Sequence, residues 1–127
     1  MSEVSKLRVY NLACELTMQV YQVTEGFPGP EKFRLTDQFI RSVSSISANI
    51  AEGYNRMSEK EKRRFFYTAL ASAEEAKHHL LLAKNLRYLS EQESSKLETT
   101  LCIVIGMLRA FINRFDEAIE RGERYEP

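Results

Sequence analysis

Apolar residues recur along this chain at intervals of three and four positions, the spacing that places them on one side of an α-helix. The pattern predicts helices over residues 6–25, 36–54, 59–87 and 91–121. No segment alternates strictly between apolar and polar residues, as a half-buried strand would. We therefore predict an all-α fold, an antiparallel up-down-up-down four-helix bundle forming a single domain over residues 1–127. The expected core positions are Val9, Ala13, Leu16, Val20 and Val23; Phe39, Val43, Ile46 and Ile50; Phe66, Ala69, Ala73, Ala76, Leu80 and Ala83; and Leu97, Leu101, Val104, Leu108, Phe111, Phe115 and Ala118.

The ends of these helices carry recognisable signals. Residues 26–30 read GFPGP, and the prolines in this run restrict the residues before them and interrupt a helix. Thr36 with Asp37 is the expected cap of the second helix. At Ser58 and again at Ser90, a serine precedes a glutamate by three positions, the capping-box arrangement that starts a helix.

The second helix is unusual because residues 42–51 contain no charge and many small side chains. It is therefore expected to be buried nearly all round and to pack tightly against the alanines of the third helix. In the fourth helix, additional isoleucines widen the apolar stripe beyond a narrow core. Because one bundle would not easily cover both surpluses, we predict a homo-oligomer.

The charge balance excludes a global electrostatic attraction to nucleic acid or to an anionic membrane. Lysine plus arginine and aspartate plus glutamate number 18 each, so the net charge is zero. The sequence shows neither a signal peptide nor an apolar run of membrane-spanning length. Cys14 and Cys102 lie in apolar patterns and are expected to be reduced core thiols, which favours a cytoplasmic protein.

Catalytic and metal-binding patterns are weak. Glu75 and His78 have the Glu-x-x-His spacing of di-iron bundles, but the motif occurs once and the other histidine, His79, is adjacent. We expect both histidines to be solvated or interface groups. The serines of residues 42–47 have no neighbouring base, and no glycine loop suits a phosphate. We predict no catalytic residue, no metal and no cofactor, so the protein is not expected to be an enzyme.

A basic segment opens the third helix and is the best candidate for an anion or RNA site. Only Glu59 and Glu61 accompany its five cations. In an oligomer this segment would form a basic rim whose phosphate contacts weaken with salt. The alternative is a solvated helix face paired with acids of the fourth helix and the tail. The five residues are Arg56, Lys60, Lys62, Arg63 and Arg64.

The centre of the chain resembles a known family. Residues 35–41, LTDQFIR, and residues 44–56, SSISANIAEGYNR, followed by Ser72-x-x-Glu75, are similar to the bacterial four helix bundle family also described as 23S rRNA intervening sequence proteins. Leu70 and Ala71 stand where that family commonly has arginine and glycine. The resemblance implies a helical bundle, often a homopentamer, without established enzymatic activity. It also implies association with RNA or with a nucleic-acid-associated protein, because some members are encoded within ribosomal RNA genes and distant relatives assist a reverse transcriptase.

Polar residues at the matching positions form a second candidate site. They could line a functional groove, or they could form a structural network that fixes helix register or a subunit interface, and we favour the structural network because buried polar groups need partners. The residues are Gln38, Arg41, Ser45, Asn49, Glu52, Ser72 and Glu75.

The sequence therefore predicts a non-enzymatic, homo-oligomeric helical scaffold or adaptor in the cytoplasm, without a membrane partner. The first alternative is an RNA-binding accessory protein that uses the basic rim at residues 56–64. A remote alternative is a metal-binding bundle at Glu75 and His78.

Overall fold

Four long helices account for most of the chain. The computed structural model describes residues 3–127 and contains α1 (Arg8–Thr24), α2 (Leu35–Tyr54), α3 (Glu59–Asn85) and α4 (Glu91–Arg121). Short 3₁₀ helices, which the periodicity did not reveal, precede α1 at Glu3–Lys6 and α2 at Gly29–Phe33. No strand occurs in this part of the chain. The predicted all-α fold with four helices is confirmed.

The helices pack in chain order, and α4 returns to contact α1. Paired contacts show that α2 and α3 run antiparallel: the Phe39 ring lies near His79, and farther along α2 the Ser45 hydroxyl lies 2.8 Å from that of Ser72. In the same way, α3 and α4 run antiparallel: Arg63 near the start of α3 pairs with Asp116, and Glu74 farther along α3 pairs with Arg109, which precedes Asp116 in α4. The bundle therefore has a closed ring of four helix–helix interfaces around one core.

The core follows the predicted positions closely. Every predicted core residue of α2 and α3 is buried, whereas Val23 of α1 and Phe111 of α4 are half-buried. Ile105 and Ile112 are buried instead, because the apolar stripe of α4 is wide enough to face both α1 and α3. Phe66 and Phe115 meet edge to face, with ring centroids 5.1 Å apart, and so join α3 to α4 at one end of the core.

Helices α2 and α3 approach each other closely at Gly53 of α2. A Cβ atom placed there would lie 2.8 Å from Cβ of Phe65 and 2.9 Å from Cδ1 of Phe66. Small side chains continue this approach along α3, where Ala69, Ala73 and Ala76 are fully buried. The tight packing expected between α2 and α3 therefore has a specific basis in residues without bulk.

The outer side of α2 is less covered than the sequence suggested. Ala48 is exposed, and Ser44, Ser47 and Ala51 are half-buried. The prediction that α2 is buried nearly all round is therefore wrong for a single chain, because no helix of the same bundle covers this side.

Helix starts agree with the sequence at two of three predicted caps. Ser90 forms a complete capping box with Glu93, and Ser58 accepts a hydrogen bond from the Glu61 amide. The expected cap at Thr36 and Asp37 is wrong, because α2 already begins at Leu35 and Arg34 precedes it without a side-chain cap. The 3₁₀ helix Gly29–Phe33 leads almost directly into α2, so the chain is already turning before Thr36.

The cysteines depart from their predicted burial. Cys14 is half-buried and Cys102 is exposed, and both are free thiols. Cys14 lies on the outer side of α1, and Cys102 lies on the outer side of α4. Among the helices formed by residues 3–127, none has the length and apolar composition that crossing a bilayer requires.

We predict that Gly53→Ala destabilises the bundle by about 1–3 kcal/mol, because the added methyl group overpacks the contact with Phe65 and Phe66. Gly106→Ala is the matched control, since a Cβ there meets nothing within 4 Å and α4 gains the better helix former. Urea unfolding followed by circular dichroism measures both. Equal stabilities for the two variants would contradict the close approach.

Candidate functional site

A hydrogen-bonded cluster connects the polar positions of α2 and α3. The hydroxyl of Ser45 lies 2.8 Å from that of Ser72, and the amide of Asn49 donates to both the carbonyl and the hydroxyl of Ser45 at 2.8 and 2.9 Å. All three side chains are half-buried at the outer edge of the α2–α3 interface. Because each hydroxyl and amide meets a partner, the cluster resembles a packing contact more than an open reactive site.

The remaining polar positions do not join this cluster. Arg41 pairs with Asp37 one turn earlier, and Glu52 pairs with Arg56 one turn later, each at 3.0 Å. Gln38 is exposed and makes no side-chain hydrogen bond within residues 3–127. Glu75 pairs with His79. The predicted network is thus one three-residue cluster flanked by local ion pairs.

His79 differs from the expectation of a solvated or interface group. It is 5% exposed, its Nε2 lies 3.1 Å from Glu75 Oε2, and its ring lies near that of Phe39. Its Nδ1 is buried without a hydrogen-bond partner in the described part of the chain. The helical turn brings His79, rather than His78, toward α2.

The Glu-x-x-His pair does not form a metal-binding group. His78 is exposed and lines a groove of about 360 Å³ between α3 and α4, whereas Glu75 faces His79. Across residues 3–127, no three histidine, cysteine, aspartate or glutamate side chains come together as metal ligands.

The five cations of the basic segment have different environments. Arg63 forms an ion pair with Asp116 of α4, and Lys62 is buried, with 4% of its surface exposed. Arg56 pairs with Glu52. Lys60 and Arg64 are exposed, and no carboxylate of residues 3–127 lies within ion-pair distance of either. The expected acids of α4 therefore neutralise one member of the segment.

Aromatic rings organise the same segment. The guanidinium groups of Arg56 and Arg64 lie over the Phe65 ring, 4.6 and 4.5 Å from its centroid. Arg63 lies over Tyr67 at 5.6 Å. Such stacking orients a guanidinium and leaves the hydrogen-bond donors at its edge available. The sequence predicted these cations as a candidate site but not the role of Phe65, although Phe65 directly follows Arg64.

The C-terminal residues fold back onto the start of α3. Glu59 pairs with Arg124 at 3.3 Å and accepts a hydrogen bond from the Tyr125 amide, while the Tyr125 ring packs edge to face on Phe115. Burial acts to raise the pKa of Glu59. Hydrogen bonds from the backbone amides of Glu59 and Tyr125, together with the charges of Arg124 and Lys62, outweigh burial and lower the pKa below the ordinary 4.5.

One further surface, between α1 and α2, was not predicted as a site. Tyr10, Cys14 and Tyr21 share one side of α1 with Thr17, whose hydroxyl donates to the Val43 carbonyl of α2 at 3.2 Å. We call this surface the α1–α2 face. It consists of Tyr10, Cys14, Met18 and Tyr21 of α1 with Ser44, Ser47, Ala48 and Ala51 of α2.

The α1–α2 face carries no charged residue, although much of it is open to solvent. Met18 is 63% exposed and Tyr21 is 51% exposed. The side-chain hydrogen bond between Tyr10 and Cys14, the electrostatic effect of Cys14 and burial all raise the pKa of Tyr10 above the ordinary 10.0. The phenol of Tyr10 therefore stays neutral. The signal available in the sequence was the low charge of α1, whose 17 residues include only Arg8 and Glu15 as charged residues.

Comparisons with known proteins agree with the fold. The profile of the 23S rRNA-intervening sequence protein family matches residues 5–110. A crystal structure of a protein of unknown function from the S23 ribosomal protein family of Bacteroides thetaiotaomicron, determined at 1.70 Å, is similar to this chain with a TM-score of 0.76 and 22% identity. The similarity covers 82% of this chain and 97% of that one. No curated protein matches the sequence.

We expect the hydroxyl pair between Ser45 and Ser72 to be energetically coupled. In a double-mutant cycle of Ser45→Ala and Ser72→Ala, the coupling should be about 0.5–1.5 kcal/mol, the net value of one hydrogen bond. The control cycle combines Ser45→Ala with Thr68→Ala, because the Thr68 hydroxyl bonds to its own helix. If the changes in the free energy of unfolding are additive in both cycles, the predicted coupling between Ser45 and Ser72 is contradicted.

Glu59 should contribute to stability in a pH-dependent way. Because folding lowers its pKa, its contribution is present above the ordinary value of 4.5 and is lost as the pH falls through the folded-state pKa. Glu59→Gln should therefore lower the melting temperature at neutral pH and flatten its decline in acid. Glu61→Gln is the control, because Glu61 lies in the same first turn of α3. Parallel melting curves for wild type and Glu59→Gln would contradict the tail contact.

Proposed function

The chain belongs to the 23S rRNA-intervening sequence protein family, and we propose that it is a non-enzymatic scaffold that assembles from several copies of itself. The observation that carries this proposal is the uncharged α1–α2 face. Its partly exposed side chains are small, apolar or aromatic, and this composition suits contact with another protein better than contact with water.

The distribution of charge supports the choice of this face. The ion pairs between helices, Arg63–Asp116 and Arg109–Glu74, lie on the α3–α4 side of the bundle. The residues of the α1–α2 face, by contrast, carry no charge, and the neighbouring charged residues of α2, Arg41 and Glu52, form ion pairs within α2 and the residues that follow it. Its small residues, Ser44, Ser47 and Ala48, would let a helix of a second copy approach closely, as Gly53 lets α3 approach α2 within one chain.

A ring of five copies is the proposed assembly, following the homopentamer that the family resemblance implied. A cyclic pentamer needs a head-to-tail interface, in which the α1–α2 face of one copy meets a different surface of the next. The exposed uncharged residues Thr99 and Ile103 of α4 offer such a second surface.

The absence of an assembled catalytic group among residues 3–127 is consistent with a scaffold. Ser45 bonds to Ser72 and Asn49, and His79 bonds to Glu75, so the nucleophile and the base that hydrolytic chemistry requires belong to separate contacts. The proposed location, in line with the free thiols, is the cytoplasm.

Nucleic-acid binding is a second candidate function, favoured by the basic segment. Lys60 and Arg64 have no ion-pair partner within residues 3–127, and the Arg56–Glu52 pair is exposed to solvent. Cations that are unpaired, or that form a solvent-exposed ion pair, can bind phosphate groups at little cost.

We predict that Ala48→Arg disrupts the assembly. Wild type should sediment near five times the chain mass of 14.7 kDa, whereas an unpaired arginine buried in the α1–α2 face should weaken association by about 100-fold or more. Ala71→Arg is the matched control, since Ala71 is also exposed in the middle of a long helix but lies on α3. Sedimentation velocity over a concentration series measures all three proteins. A monomeric wild type, or an equal loss in both variants, would contradict the proposal.

A further inference from the structure

We propose that Arg56 and Arg64, which lie over the Phe65 ring, form with Lys60, one turn before Arg64, a binding site for the phosphate backbone of nucleic acid. The site uses three of the five cations in the basic segment. Arg63 is neutralised by Asp116 of α4, and Lys62 has its side chain buried beside Glu59, so neither is free to meet an external anion.

The stacking on Phe65 prepares two of these cations for phosphate. Both guanidinium groups lie within 4.6 Å of the ring centroid, so contact with the ring limits their positions before any ligand arrives. A stacked guanidinium keeps its edge donors free, and the spacing of those donors matches two oxygens of one phosphate. Less side-chain freedom is therefore lost on binding than for a mobile lysine.

The arrangement also brings like charges together without full compensation. Arg56 and Arg64 share one aromatic ring, and Glu52 is the single carboxylate in ion-pair contact with either of them among residues 3–127. Glu52 is itself 60% exposed, so water screens its pairing with Arg56. A bound anion would reduce the repulsion between these two positive charges.

The environment of the aromatic rings indicates which part of a nucleic acid is contacted. Single-stranded nucleic acids are usually held by stacking of bases on exposed aromatic rings. Here Phe65 is half-buried beneath Arg56 and Arg64, whereas Tyr67 is 54% exposed and is approached by Arg63. The rings therefore orient the guanidinium groups of the arginines. Contacts between these arginines and phosphates would not depend on the nucleotide sequence.

An extended polyanion suits the site better than a small phosphate does, because the three cations are solvent-exposed side chains and each exposed contact is weak. In the proposed oligomer the site would recur on every copy, and simultaneous contacts would raise the affinity. This last step rests on the proposed assembly, whereas the site within one chain does not.

The test measures fluorescence anisotropy of a labelled RNA hairpin of arbitrary sequence with full-length protein. Arg64→Glu should weaken binding about tenfold or more and reduce the salt slope by about one unit. Lys77→Glu is the matched control, because Lys77 is an exposed cation of the same helix without an ion-pair partner in residues 3–127. Arg64→Lys, which keeps the charge but loses the planar fork, should show an intermediate loss.

The outcomes separate this site from the assembly. If Ala48→Arg dissociates the oligomer, binding should weaken while the difference between Arg64→Glu and Lys77→Glu persists. Equal losses for Arg64→Glu and Lys77→Glu would overturn the inference, as would the absence of RNA binding at low salt. Preference for anionic phospholipid vesicles over the hairpin would also overturn it. Circular dichroism confirms that each variant is folded.

Discussion

The close approach of α2 to α3 is the constraint on which the rest of the bundle depends. At Gly53 the two helices approach until a single methyl group would collide with Phe65 and Phe66. Phe66 is held there against Phe115, so the same contact positions α4. Phe65, the neighbouring residue, is turned toward the surface, where Arg56 and Arg64 stack on it. A glycine in α2 thus determines the packing of the core and the placement of the basic side chains.

The sequence predicted the helices well because periodicity reports directly on burial. Phe39, Val43, Ile46 and Ile50 are all buried as expected, and α4 ends at Arg121 as expected. The two 3₁₀ helices were missed because they are too short to show a hydrophobic period. The burial of His79 was missed because an apolar pattern ignores a polar residue, even one that turns toward α2 between Ala76 and Ala83.

The candidate sites were predicted less completely, and for a physical reason. The sequence lists charges, but the partner of each charge depends on three-dimensional packing. Spacing could not distinguish Arg63, which reaches Asp116 across 53 residues, from Arg64, which forms no ion pair with any carboxylate of residues 3–127. The seven polar positions likewise looked like one network, although only Ser45, Asn49 and Ser72 bond to one another. The α2 part of the α1–α2 face was anticipated from the uncharged residues 42–51, but the α1 part was not, because sequence spacing does not show which side of α1 lies beside α2.

The uneven distribution of charge changes how natural variation in this chain should be interpreted. Residues of the α1–α2 face such as Met18 and Ala48 are exposed in one chain, and exposure usually implies tolerance to substitution. If this face is an interface, its exposed residues will be as intolerant of charge as the core, whereas equally exposed residues of α3 outside the basic segment, such as Ala71, will vary freely. Solvent exposure in the isolated bundle would then be a poor guide to mutational tolerance on one half of the molecule and a good guide on the other.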